Sequence, residues 1–182
     1  MEKAGLALVL FPIRPVSRGR PPLWNPFAGV ADAPWVEVSS FDAKGRLSIP
    51  AAARRALSWL AGAPTLLAEL HADGSAELMA QDPTGAARVK AIVEAAEAAP
   101  IGGRGELLLA AMDRFVQLAV EEGSRLSMPA NLKAHLDPAA TGRIWVVARD
   151  ARLWLWGHDS WTAARASRGQ LLDDALRRYA AS

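Results

Sequence analysis

One stretch of sixteen residues occurs twice in this chain. Asp42-Ala-Lys-Gly-Arg-Leu-Ser-Ile-Pro-Ala-Ala-Ala-Arg-Arg-Ala-Leu57 aligns without a gap on Glu121-Glu-Gly-Ser-Arg-Leu-Ser-Met-Pro-Ala-Asn-Leu-Lys-Ala-His-Leu136, 79 positions later. Arg46, Leu47, Ser48, Pro50, Ala51 and Leu57 recur as Arg125, Leu126, Ser127, Pro129, Ala130 and Leu136. Asp42/Glu121, Ile49/Met128 and Arg54/Lys133 keep their chemical type. A match this dense points to duplication of one supersecondary unit, and it restricts the chain to folds in which two similar units coexist.

The flanks follow the same plan. A strand-like run with roughly alternating apolar and small or polar residues precedes each motif, at Val36 to Phe41 and Phe115 to Val120. Two more follow each motif: Thr65 to Leu70 and Ala76 to Gln81 around Ala72-Asp73-Gly74, then Arg143 to Ala148 and Arg152 to Gly157 around Asp150. Each unit therefore reads strand, tight turn, strand, short helix, strand, turn, strand. Between the units, Ala86 to Ala99 and Glu106 to Phe115 are expected to be helical, separated by the breaker Pro100-Ile-Gly-Gly-Arg-Gly105. Ser160 to Ala181 is expected to form a last helix, with Arg177 and Arg178 placed to complement its dipole. The implied class is α+β, with two tandem units of this plan joined by helices.

Composition narrows the chemistry. The 182 residues suit one or two domains, and a hydrophobic fraction of 51% suffices for a real core. The absence of cysteine excludes disulfides, thiol catalysis, iron-sulfur clusters and cysteine-based zinc sites. With 21 Lys and Arg against 19 Asp and Glu, any polyanion must be met by local positive charge rather than by the whole surface. Residues 1–34 hold six of the twelve prolines, and Arg14 to Val30 carry three arginines and no acid. This is expected to be a flexible arm, either a solvated extension or one that finds DNA phosphates or a neighbouring subunit. The division is thus 1–34 for the arm, 35–99 for the first unit and 100–182 for the second. The apolar run Gly5 to Ile13 is too short for a membrane span, and Arg14, Arg18 and Arg20 follow it, on the opposite side from the basic residues of a signal peptide.

In the first motif Gly45 supplies the positive φ of a tight hairpin connection, and Asp42 and Arg46 flank the turn closely enough to pair. An arginine held in place by a carboxylate loses less entropy when it meets a phosphate or a base edge. Pro50 suits the start of the following helix, which carries Arg54 and Arg55. Lys44, Arg46, Arg54 and Arg55 stand against Asp42 alone, a local charge of +3. Arg125 and Lys133 are balanced by Glu121 and Glu122.

At these residues the sequence resembles the MraZ family, within the AbrB-type swapped-hairpin DNA-binding proteins. That family carries two copies of Asp-x-x-x-Arg, commonly with Gly before the Arg and a Pro after a short apolar stretch, as in Asp42-Ala-Lys-Gly-Arg46 with Pro50. The resemblance spans about residues 35 to 165 and includes the motif spacing, the interposed helices and the ending Leu153-Trp-Leu-Trp156 with Trp161. The second copy differs, with Glu121 for Asp and with Ser124 before the arginine while Gly moves to 123. The resemblance implies a bacterial transcriptional regulator, a cytoplasmic and nucleoid-associated repressor of a division and cell-wall gene cluster. It implies recognition of short promoter-proximal DNA repeats by a ring-like homo-oligomer. By carry-over, Asp42 with Arg46 and Glu121 with Arg125 are the two motif pairs.

Other features give no competing chemistry. His71, His135 and His158 show no metal-ligand spacing, and no nucleophile elbow, phosphate loop or dinucleotide fingerprint occurs, so neither catalytic residues nor cofactors are expected. Trp154 and Trp156 share one strand face and are expected to pack against the last helix or a neighbouring subunit. The expected function is sequence-selective binding of double-stranded DNA. Lys44, Arg54, Arg55 and Lys133 would grip phosphates, and Arg46 and Arg125, steered by Asp42 and Glu121, would read base edges. The alternative is an AbrB-fold antitoxin-like or assembly module that acts through protein partners.

Overall fold

Strands form where short apolar-alternating runs end at turn residues. In the computed structural model, which describes residues 34–136 and 142–180, these are β1 (Trp35–Ser40), β2 (Arg46–Ser48), β3 (Thr65–Leu70), β4 (Ser75–Ala80), β5 (Phe115–Glu121), β6 (Arg125–Ser127), β7 (Arg143–Arg149) and β8 (Arg152–Trp156). The helices are α1 (Ala51–Ala56), α2 (Ala86–Glu97), α3 (Ile101–Arg114), α4 (Ala130–Leu136) and α5 (His158–Ala180). The class is α+β. The arm expected over residues 1–34 lies, apart from Pro34, outside the described residues.

The strands form one antiparallel sheet in the order β1-β7-β8-β4-β3-β5-β6-β2. An isolated bridge between Phe41 and Leu47 ties β2 back to the chain leaving β1, so the sheet nearly closes into a barrel. The two halves interlock. The first strand of each half pairs with the third strand of the other, β1 with β7 and β5 with β3. Leu47 pairs directly with its repeat counterpart Leu126 where β2 meets β6, and Glu77 pairs with Trp154 where β4 meets β8. A pseudo-twofold axis through those two pairs relates the halves, and the pairs sit half-way round the sheet order from each other.

Alternation places one side chain in two inside this sheet. Leu47, Leu66, Leu78, Leu118, Leu126, Ile144, Val146, Leu153 and Leu155 join Leu57, Leu132 and Leu136 in one continuous core that draws on both halves. Gly157 connects β8 to α5 in close contact with α4; a Cβ there would stand 1.9 Å from the Leu136 carbonyl oxygen.

The glycine-rich stretch expected to break the helices lies inside one. Pro100 caps α3, where its missing N–H costs little, and Ile101 to Gly105 form the first turns. Glycine weakens a helix without forbidding it, by roughly 1 kcal/mol relative to alanine. Gly102, Gly103 and Gly105 have open space where a Cβ would be.

An ion-pair network fastens the α2–α3 hairpin to the barrel. Glu69 on β3 is fully buried. Arg88 of α2 donates to it from Nε at 2.9 Å, and Arg114 at the end of α3 donates from Nε at 2.8 Å. Burial pushes the Glu69 pKa up, but the hydrogen bonds and charges of Arg88 and Arg114 outweigh it and hold the carboxyl below its ordinary 4.5. Directly opposite on β4, Glu77 meets Arg152 at 3.3 Å and His71 at 3.9 Å. Among the described residues no helix is long and apolar enough to cross a membrane.

Candidate nucleic-acid interface

The first hairpin turn is built by Asp42. Its carbonyl accepts from the Gly45 N–H at 2.9 Å, and its Oδ1 accepts from the N–H groups of Lys44 at 2.8 Å and Arg46 at 3.0 Å. Gly45 takes φ +72°, the left-handed value that completes the three-residue connection. With the loop backbone satisfied by one carboxylate oxygen, the other receives Arg46, from Nε at 2.8 Å and Nη2 at 2.6 Å. The Arg46 side chain, then its backbone amide, hold the Asp42 pKa at about 2 instead of 3.8. Arg46 is raised in turn, through Asp42 first and Glu121 second.

The second turn has the same length but different chemistry. The Ser124 N–H donates to the Glu121 carbonyl at 3.1 Å, matching the first turn, while Gly123 and Ser124 both take positive φ, +75° and +58°. Glu121 does not orient Arg125, contrary to the sequence expectation. Its Oε2 accepts from Arg46 Nη1 at 2.9 Å, so Arg46 is clasped by both motifs. Side-chain length accounts for the difference. An aspartate folds back onto the amide two residues on, whereas the extra methylene of glutamate carries its carboxylate across to the neighbouring hairpin. Arg125 is exposed and makes no ion pair or side-chain hydrogen bond among the described residues.

The short helices exchange cations across the axis. Arg54 of α1 reaches the second turn, where Nη1 donates to Ser124 Oγ at 3.3 Å, and Ser124 returns a backbone carbonyl to the Ile49 N–H at 3.0 Å. Its counterpart Lys133 of α4 reaches the first turn. Its Nζ lies 5.7 Å from the Phe41 ring centroid and 2.7 Å from where a Gly45 Cβ would stand. Lys44 and Arg55 are exposed. The structure thus brings Asp42, Lys44, Arg46, Arg54, Glu121, Arg125 and Lys133 onto two adjoining turns, with Arg55 on the helix beside them. Counting Glu122, six cations face three acids here, a local charge of +3. Sequence reasoning missed Ser124 and Phe41 as contact residues. Only the 79-residue offset, which maps Gly45 onto Ser124 and Arg54 onto Lys133, hinted at them.

One further cluster was invisible in the sequence. Glu69, His71 and Glu77 bring possible ligand atoms within 4.8 Å of one another. The two carboxylates are already engaged by Arg88, Arg114 and Arg152, so this cluster is an ion-pair network whose positive partners oppose a further cation.

Comparison of the sequence with protein-family profiles and with curated proteins returns no match.

Proposed function

We propose that this chain is a sequence-selective double-stranded DNA-binding regulator of MraZ type, built from two AbrB-like swapped-hairpin units that one chain supplies together. It acts as a repressor by binding, without catalysis or cofactor. The observation that carries this reading is the adjoining pair of repeated turns, pinned by Arg46 between Asp42 and Glu121 and surrounded by cations. Within it the roles differ. Arg46 spends most of its N–H groups on two carboxylates and serves as a strut that fixes the turns against each other. Arg125 is the base-edge reader, and Lys44, Arg54, Arg55 and Lys133 grip phosphates. One such surface offers few contacts, so useful affinity comes from several linked copies on repeated sites. The exposed Leu171, Leu172, Leu176 and Tyr179 on α5 support self-association into a ring-like homo-oligomer.

That exposed stripe also favours a second reading, an assembly module that acts through protein partners. Duplex binding followed over a range of salt concentrations separates the two. The regulator loses affinity linearly in the logarithm of salt, and Arg125→Ala reduces discrimination between its own upstream DNA and an unrelated duplex. Duplex affinity absent at low salt, or indifferent to both Arg46→Ala and Arg125→Ala, leaves the assembly module as the function.

A further inference from the structure

Beside β1 in the sheet order, the outer face of β7 and β8 carries an aromatic ladder. Trp145 lies beside Trp156, Val147 beside Trp154, and Arg149 beside Arg152. From α5, Trp161 stacks on Trp145 at 5.2 Å and meets Trp156 edge-on at 5.9 Å. Two arginines lie on these indoles. The Arg168 guanidinium is 4.4 Å from the Trp161 ring and 6.0 Å from that of Trp156, and the Arg149 guanidinium is 5.1 Å from the Trp154 ring. Arg165 stands one helical turn before Arg168.

Packing alone does not explain this arrangement. The ring quadrupole attracts a guanidinium laid over an aromatic face, enough to seat one arginine. Three together repel one another, and Arg149, Arg165 and Arg168 have neither an ion pair nor a side-chain hydrogen-bond acceptor among the described residues. Burial first, then the charges of Arg149 and Arg165, push the Arg168 pKa below its ordinary value. The indole N–H groups of Trp145, Trp154 and Trp161 are buried and also lack an acceptor, and Trp161 is only 9% exposed. The carboxylate nearest this face, Glu77 opposite Trp154 on β4, is engaged by Arg152, so Arg149, Arg165 and Arg168 are left without an anionic partner among the described residues. A compact oxyanion supplies what is missing. Nucleobases are poor candidates, since the indole faces are occupied by each other and by the guanidiniums.

We propose that Arg149 and Arg168, seated on Trp154, Trp156 and Trp161, together with Arg165 one helical turn before Arg168, form a binding site for the phosphate group of a small ligand. Arg149 and Arg168 are held in place by the indoles, so little of their side-chain entropy is lost on binding, and the planar forks of all three arginines match phosphate geometry. Because Arg143 pairs with Ser40 beside the first turn and Ala148 with Trp35 at the other end of β1, Arg149 lies at the end of β7 away from the motif turns; a duplex bound at the turns leaves the site open, and a small phosphorylated effector is its occupant.

Titrating the full-length protein with inorganic phosphate and with tripolyphosphate, at ionic strength held constant with chloride, tests the site through tryptophan emission and the NMR signals of the indole N–H groups. The expected result is a saturable shift of the Trp154 and Trp161 signals, stronger for tripolyphosphate, with affinity at least about tenfold weaker in Arg168→Gln and in Arg165→Gln. Arg165 is exposed and rests on no indole, so its loss leaves the fold intact, which circular dichroism verifies. A short DNA duplex is the third titrant and leaves these signals unmoved. A phosphate response equal to that of chloride, an unchanged response in both variants, or a response to the duplex alone overturns the proposal.

Discussion

Removing the two arginines on Glu69 destabilises the protein far more than removing the charge of Glu69 itself. The reason is an asymmetry of burial. Glu69 has no exposed surface, whereas the Arg88 and Arg114 side chains are 51% and 44% exposed. In Glu69→Gln the arginines regain water, and the cost is the charge-assisted part of their hydrogen bonds, about 1–2 kcal/mol given that solvent access. In Arg88→Met/Arg114→Met the apolar stems remain, but a carboxylate is left buried without a partner, at about 3–5 kcal/mol. The pH dependence separates the two. In the parent protein the Glu69 pKa lies below 4.5, so its contribution is complete above that value and is lost as the pH falls through the folded pKa. In the double variant only burial acts, the pKa rises above the unfolded value, and the penalty shrinks as the pH falls. Urea denaturation at about pH 7 and about pH 4.5, with m-values compared, measures both. A double variant no less stable than Glu69→Gln, or a penalty independent of pH, refutes the reasoning.

Further outcomes follow from single positions. The stability that Asp42 lends the first turn is complete above pH 3.8 and lost as the pH falls towards 2; amide NMR of Lys44 and Arg46 should show its inflection near 2, and one near 4 counts against the turn described above. Gly102→Ala, Gly103→Ala and Gly105→Ala should each stabilise by about 0.4–1 kcal/mol in thermal melts, since nothing opposes the added methyl. Gly157→Ala drives a methyl into the Leu136 carbonyl and should cost about 3 kcal/mol or prevent folding, as soluble yield and melting temperature will show. Ser124→Gly should relieve the strain of φ +58° and Gly45→Ala should create it, shifts of up to about 1–2 kcal/mol in opposite directions.

The order of strands was legible because side-chain alternation and turn residues are local signals. Thr65–Leu70 matches its expected bounds, and the other expected strands fall within a residue or so of theirs. The helical glycines were misread because breaker residues carry only a weak preference, which the pairing of α3 with α2 overrides. In the site, the Asp42–Arg46 pair was legible because four residues and a hairpin force it. The reach of Glu121 to Arg46, and the exchange of Arg54 and Lys133 between turns, were not legible. They arise from contacts 70 or more residues apart that exist only once the halves interlock.

Because both copies of the motif lie on one polypeptide, a change in one need not appear in the other. Two identical subunits meeting on a true twofold would have to treat both arginines alike, each clasped or each released. A single chain escapes that rule. Arg46 can be committed to holding the turns together while Arg125 is left facing outward, and Gly45 and Ser124 can set different loop geometries on either side of the axis. The duplication therefore frees one copy to specialise, and a DNA target of the proposed kind need not be a palindrome.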